Sequence, residues 1–170
     1  GLLRLLATAL ELPEEFFVQY HSGENVTLRL LHYPPMPAQA RQLGAGAHTD
    51  YGMLTLLFQD DVGGLEVRDS AGLWQPVIPM PGTTVVNAGD LLERWTNGRY
   101  RSTWHRVQPP TGGRERFSIA FFVDPDSDTR VEVLPGCAGH GDAERFPPIT
   151  AGEHVQERIR RSREAARRPA

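Results

Sequence analysis

Leucines at positions 2, 3, 5, 6 and 10 recur at three- and four-residue spacing within residues 1–20, GLLRLLATALELPEEFFVQY. That period predicts an amphipathic helix, interrupted near Pro13 and followed by a second short turn. From residue 26 the texture changes to short apolar segments. Strands are predicted at 26–33, 47–58, 64–68, 73–78, 83–87, 104–108, 116–123 and 130–134, with the turn signals DSAG, MPG, NAGD and PPTGG between them. About eight short strands with Gly and Pro punctuation point to a sandwich or barrel of jelly-roll type and not to alternating strand and helix units. The stretch 135–148 reads as a loop, because little follows it except one helix over 149–168. There Thr150 and Glu153 hold the capping-box spacing, and Val155 and Ile159 lie four apart beneath an arginine-rich face. No internal repeat is visible. The expected organisation over 1–170 is a single domain, with a helical segment at 1–20, a β core at 26–135 and a closing helix at 149–168.

A chain of 170 residues can bury about 70% of the surface that its unfolded form exposes. An apolar fraction of 39%, a charged fraction of 23% and a net charge of -3 offer no excess of positive charge for nucleic acid. All 18 cationic side chains are arginine, which excludes a lysine Schiff base. The single cysteine, Cys137, cannot form an internal disulfide. No apolar run approaches the ~18 residues of a membrane span, and no secretory signal is visible, so the cytoplasm is the default location. Because the chain opens on Gly1 and is helix-like at once, the expectation is that a longer polypeptide lost its beginning.

The candidate chemistry begins at GAHTD, where His48 and Asp50 stand two apart at the head of an apolar run. On an extended strand they project the same way. A divalent cation bound by both compensates the burial of an ionisable pair. A third ligand must come from elsewhere among His21, His32, His105, His140 and His154. Only His105, in STWHRVQ, sits in a strand-like segment, and that segment runs into PPTGG. Taken as a hairpin turn centred near Thr111, PPTGG sets His105 opposite Phe117, flanked by Arg116 and Ser118. A one-residue slip would change which side chains share a face. Two histidines and one carboxylate form the facial triad of non-haem Fe(II) oxygenases, and a nearby arginine suits a chelating cosubstrate's distal carboxylate.

The segments GAHTD, LLFQDDVGGLEV, WQPVIPMPGTTVVNAGDLL, TNGRYRSTWHRV and RERFSIAFFVDP, in that order, resemble successive blocks of the 2-oxoglutarate and Fe(II)-dependent dioxygenases of the isopenicillin N synthase-like family, over about residues 26–135. The resemblance implies a double-stranded β-helix (jelly-roll, cupin-like) barrel with flanking α-helices. It also implies iron on His48, Asp50 and His105, and the far carboxylate of 2-oxoglutarate on Arg116 and Ser118. Tyr33 in LLHYPP resembles the second tyrosine of that family's N-Y-Y-P-P block, which contacts the cosubstrate; Leu31 and His32 depart from that block. The family implies O2 as oxidant, ascorbate as a candidate reductant, and a small organic substrate oxidised at a C–H bond with release of succinate and CO2. Hydroxylation is the first expectation, with desaturation or ring closure as variants. No nucleic-acid or membrane partner is expected, and a monomer is favoured. Candidate substrate contacts, from alternation and motif proximity, are Arg29, Leu31, Tyr51 and Phe121. The family's preceding helices and first strand are missing, which would leave an apolar face or sheet edge uncovered.

Plainer readings compete. H-x-D alone is more often a polar turn. A second H-x-D, HGD at 140–142, lies in a Gly-rich loop and reads as structural. LGAGAH lacks the helix that a dinucleotide fingerprint requires. His21, His32 and His154 read as surface or packing residues, and Arg116 could pair with Glu115. On the same scaffold, an oxidase of the isopenicillin N synthase kind would ignore 2-oxoglutarate. A non-catalytic metal-binding jelly roll would close its coordination sphere with a fourth protein ligand.

Overall fold

The computed structural model describes residues 1–37, 43–110, 112–138 and 145–167. Among these the chain forms α1 (Leu2–Ala9), β1 (Val26–Tyr33), β2 (Ala45–His48), β3 (Leu54–Gln59), β4 (Leu65–Arg68), β5 (Trp74–Pro76), β6 (Val85–Ala88), α2 (Asp90–Trp95), β7 (His105–Val107), β8 (Arg116–Val123), β9 (Arg130–Val131), β10 (Ile149–Thr150) and α3 (Ala151–Arg167).

Two four-stranded antiparallel sheets carry the architecture, ordered β1-β8-β3-β6 and β2-β7-β4-β5, with β9 and β10 in a separate ribbon. The chain distributes its strands between the two sheets, which is the jelly roll that the strand spacing predicts, in the double-stranded form that the family resemblance implies. One expectation falls. His105 does not face Phe117 across a hairpin, because β7 pairs with β2 and β4 while β8 pairs with β1 and β3. The residues around PPTGG therefore cross between sheets. Phe117 instead stands opposite His32, the rings stacked at 4.7 Å. A hairpin offers the shorter loop, but inward-facing apolar groups on both segments are buried better by closing two layers than by extending one.

The predicted strand 47–58 is also broken. It ends at His48, loops through Thr49–Met53, and resumes at Leu54. The predicted turn NAGD is the start of a helix, whose Leu91, Leu92 and Trp95 are fully buried. The one-and-a-half-turn stripe of leucines and tryptophan is the signal in the sequence for that helix.

Two cores hold the layers. Between the sheets lie Tyr33, Leu57, Leu65, Val107 and Ala120. Outside, α1 places Ala7 and Leu10 against Leu91, Leu92 and Trp95 of α2, with the Phe17 and Trp95 rings 5.3 Å apart. At the other end α3 starts with the expected capping box: the Glu153 amide donates to Thr150 Oγ1 at 3.2 Å and the Thr150 amide to Glu153 Oε2 at 3.1 Å. The outward face of the first sheet leaves Leu28, Leu30, Phe58 and Phe117 exposed.

Candidate metal and cosubstrate site

His48 closes β2 directly opposite His105 of β7, and the two imidazole centroids are 4.3 Å apart. Each ring is held through Nδ1 by a nearby carbonyl: His48 to Gly46 O at 2.7 Å, His105 to Thr103 O at 3.0 Å. A carbonyl only accepts, so in both rings Nδ1 donates and Nε2 is left as the candidate metal-binding atom. Burial pushes the His48 imidazole below its ordinary pKa against the opposing pull of the Gly46 carbonyl, and the charges of His105 and Arg29 add to the depression. The neutral ring, the form that binds metal, is favoured.

Asp50 reaches these rings by a loop and not by strand alternation. The carbonyls of Asp50, Gly52 and Met53 accept hydrogen bonds from the amides of Asp90, Leu91 and Gly89 at 2.8, 3.0 and 2.8 Å. These are the opening amides of α2 and its preceding residue, which have no partner inside the helix. The approach requires glycine at 89, while Gly52 faces a side chain that would have to move. A Cβ on Gly89 would lie 2.2 Å from Gly52 O, and one on Gly52 would lie 1.5 Å from Asp124 Oδ1. Held in this way, Asp50 is 6% exposed, with Oδ1 3.6 Å from His105 Nε2 and Oδ2 accepting from Asn87 Nδ2 at 3.5 Å. One potential ligand atom from each of His48, Asp50 and His105 lies within 4.8 Å of the others.

Beside this cluster a cavity of about 160 Å³ opens between the sheets. The antiparallel register sets Tyr33 opposite Arg116, Leu31 opposite Ser118 and Arg29 opposite Ala120, and all six side chains line the cavity. Arg116 is wholly buried, yet among the described residues it meets no carboxylate. Its guanidinium donates to Ser118 Oγ at 3.3 Å and Gln59 Oε1 at 3.2 Å, lies 4.9 Å from the Tyr33 ring centroid, and leaves Nε without a partner. An uncompensated buried cation is costly, so the site is shaped for an anion. Two imidazoles and a carboxylate are a donor set suited to Fe(II), so the residues present fit both groups.

Of the sequence-chosen substrate contacts, Arg29 and Leu31 line the cavity. Tyr51 and Phe121 do not. Tyr51 belongs to the loop and lies under the Arg158 guanidinium at 4.9 Å. Phe121 faces outward between Leu28 and Leu56, and Phe122 takes the inner position. Counting in twos from Arg116 through Ser118 and Ala120 leads to Phe122, so the parity is available in the sequence. Asn87 escapes sequence reasoning, because its role depends on β6 lying beside β3. His154 is buried, with Nε2 3.6 Å from Asp90, and HGD at 140–142 lies outside the described residues.

A family model for the 2OG-Fe(II) oxygenase superfamily matches residues 14–125. The chain belongs to that superfamily. It is 43% identical over 164 residues to the 2-oxoglutarate-Fe(II) type oxidoreductase hxnY of Emericella nidulans, covering 94% of this chain and 47% of that protein. Among solved structures, a full-length Neurospora crassa protein in complex with alpha-KG superposes with a TM-score of 0.85 at 36% identity, covering 93% of this chain and 51% of that one. A 2OG-Fe(II) oxygenase family protein from Caulobacter crescentus gives 0.85 at 44% identity, covering 94% and 53%. The chain spans about half the length of the curated relatives that it matches. Fe(II) and 2-oxoglutarate are the cofactors of this superfamily, and among the described residues no helix is long and apolar enough to cross a membrane.

Proposed function

We propose that this chain carries the catalytic centre of an Fe(II)- and 2-oxoglutarate-dependent oxygenase that oxidises a C–H bond of a small organic molecule, most simply by hydroxylation. His48, Asp50 and His105 would hold the metal, and Arg116 with Ser118 would hold the far carboxylate of 2-oxoglutarate. The observation that carries the reading is the pairing of two features in one cavity: three convergent metal-type ligand atoms and a wholly buried arginine without a counter-ion.

When bound, iron and 2-oxoglutarate supply the activation of O2, with succinate and CO2 as co-products. The chain's own contribution is orientation and exclusion of water. The Gly46 and Thr103 carbonyls fix the imidazole tautomers, and Asn87 steadies the Asp50 carboxylate. Arg116 offers a planar, permanently charged group for charge-assisted hydrogen bonding to a carboxylate, and Tyr33 packs on its face. Leu57, Leu65, Val107 and Ala120 keep the surroundings apolar, which strengthens each of these interactions. No side chain is required as a general acid or base. Blocks resembling the isopenicillin N synthase-like branch support that placement within the superfamily. The relatives support a small-molecule substrate: the Neurospora crassa protein has been crystallised with thymine, and a rice relative is named homoarginine-6-hydroxylase.

The test is anaerobic addition of Fe(II) and then 2-oxoglutarate to the folded chain. A visible metal-to-ligand charge-transfer band is the expected result. Its absence at saturating cosubstrate would favour a binding module without turnover. Succinate released per O2 consumed separates the oxygenase from an oxidase that ignores 2-oxoglutarate, for which the ratio is near zero.

A further inference from the structure

The cavity contains a second arginine that this mechanism does not use. Arg29 stands on the inward face of β1, four residues from Tyr33, so its Cα and that of the Arg116 partner position lie roughly 13 Å apart along the strand. Unlike Arg116 it is exposed, which places it where the cavity meets solvent. Its guanidinium carbon lies 5.4 Å from the centroid of the Phe122 ring, a contact that orients the charge without neutralising it. Among the described residues Arg29 makes no ion pair or side-chain hydrogen bond. Among the described residues the one carboxylate lining the cavity is Asp50, which faces the metal-type cluster with Oδ1 3.6 Å from His105 Nε2 and Oδ2 accepting from Asn87 Nδ2 at 3.5 Å. Its register neighbours Ala120, Leu57 and Leu31 are apolar, as is Phe122, and its charge is felt at His48. A single uncompensated cation at the rim of an apolar recess beside the metal ligands selects by charge and packs by shape.

We propose that Arg29 determines substrate specificity, and that the substrate is a small organic anion, a carboxylate on an apolar body. The carboxylate pairs with the Arg29 guanidinium at the mouth, and the apolar body lies against Phe122 and Leu31 with a C–H bond toward the metal ligands. This rests on the oxygenase reading above, in which Arg116 is committed to the cosubstrate. A neutral ligand of the same shape would leave the charge unanswered, so discrimination should follow ionisation more than size.

The experiment is calorimetric titration of the full chain, loaded with redox-silent Mn(II) and 2-oxoglutarate, with phenylacetate and with phenylacetamide. The two probes match in shape and differ in charge. The expected result is phenylacetate binding about tenfold or more tighter than the amide. Arg29→Gln should erase that preference and Arg29→Lys should restore part of it, since lysine keeps the charge and loses the planar fork. Equal affinity for acid and amide, no measurable binding of the acid, or a preference that survives in Arg29→Gln would overturn the proposal. It is equally overturned if Arg29→Gln weakens 2-oxoglutarate binding as much as Arg116→Gln does, because Arg29 would then serve the cosubstrate. If 2-oxoglutarate fails to bind the metal-loaded wild-type chain, the oxygenase reading falls, and this proposal with it.

Discussion

His48 and His105 are direct cross-strand partners in one sheet, their rings 4.3 Å apart, with each Nδ1 anchored to a carbonyl two residues earlier in the chain. The equivalence of the two anchors makes both rings pre-aimed donors, while Asp50 reaches the same point from a loop held by α2.

Replacing any of the three by alanine should therefore cost more metal affinity than the roughly 10–100-fold typical of losing a supporting group. Anaerobic titration with Fe(II) checks this. Arg116→Ala should keep most metal affinity and raise the concentration of 2-oxoglutarate required. Comparable iron loss in all four variants would show that the roles are misassigned.

Arg116 also makes a prediction about stability. With no anion bound its buried charge has no counter-ion among the described residues, so Arg116→Met should be neutral or stabilising in the absence of 2-oxoglutarate. Added 2-oxoglutarate at about 100 times its Kd should stabilise the wild type by about 2.7 kcal/mol and the variant by far less. Thermal melting with and without cosubstrate measures both. A variant that melts well below the wild type without ligand would contradict the account.

The loop that presents Asp50 depends on Gly89. Gly89→Ala would drive a Cβ against a backbone oxygen at 2.2 Å, so the loss should exceed the ~1–3 kcal/mol of ordinary overpacking. Gly46→Ala is the control, because nothing lies within 4 Å of its Cβ position. Urea midpoints should fall steeply for the first and little for the second.

Arg158 of α3 holds two residues near the loop that carries Asp50: its Nε is 2.9 Å from Asp90, and its terminal nitrogen donates to Thr49 Oγ1 at 2.8 Å. The pair is partly buried, between the limits of an exposed ion pair worth ~1 kcal/mol or less and a buried one whose disruption costs ~3–5 kcal/mol. Arg158→Leu should thus destabilise by about 2 kcal/mol and weaken Mn(II) binding. Arg158→Lys should recover part of each loss.

Burial opposes ionisation of Glu66, but hydrogen bonds from Gln108 and Arg106, with the Arg106 charge, outweigh it and hold the carboxyl below its ordinary value of 4.5. A depressed carboxyl contributes stability above that value and loses it as pH falls through the folded one. Glu66→Gln should flatten the loss of stability as pH falls below about 4.5, as read from urea midpoints. An unchanged slope would remove Glu66 from the account.

Most strand positions are legible because apolar alternation and Gly-Pro punctuation are local signals, and so are the opening helix, observed over Leu2–Ala9, and the capping box at Thr150. The choice of His48, Asp50, His105, Arg116 and Ser118 follows from residue type and family blocks. Parity counted from Arg116 even contains Phe122. What the sequence by itself determined is therefore where most strands lie and the parity along each, though not the break at 49–53 or which face of β8 turns inward. Only the tertiary structure decided that β7 and β8 lie in different sheets, that Asp50 arrives by a glycine-dependent loop, and that Asn87, Phe122 and a rim-facing Arg29 share the cavity with the triad. The reason is physical: strand partners are chosen by which arrangement buries two apolar layers at once, a long-range balance that no local window of the chain contains.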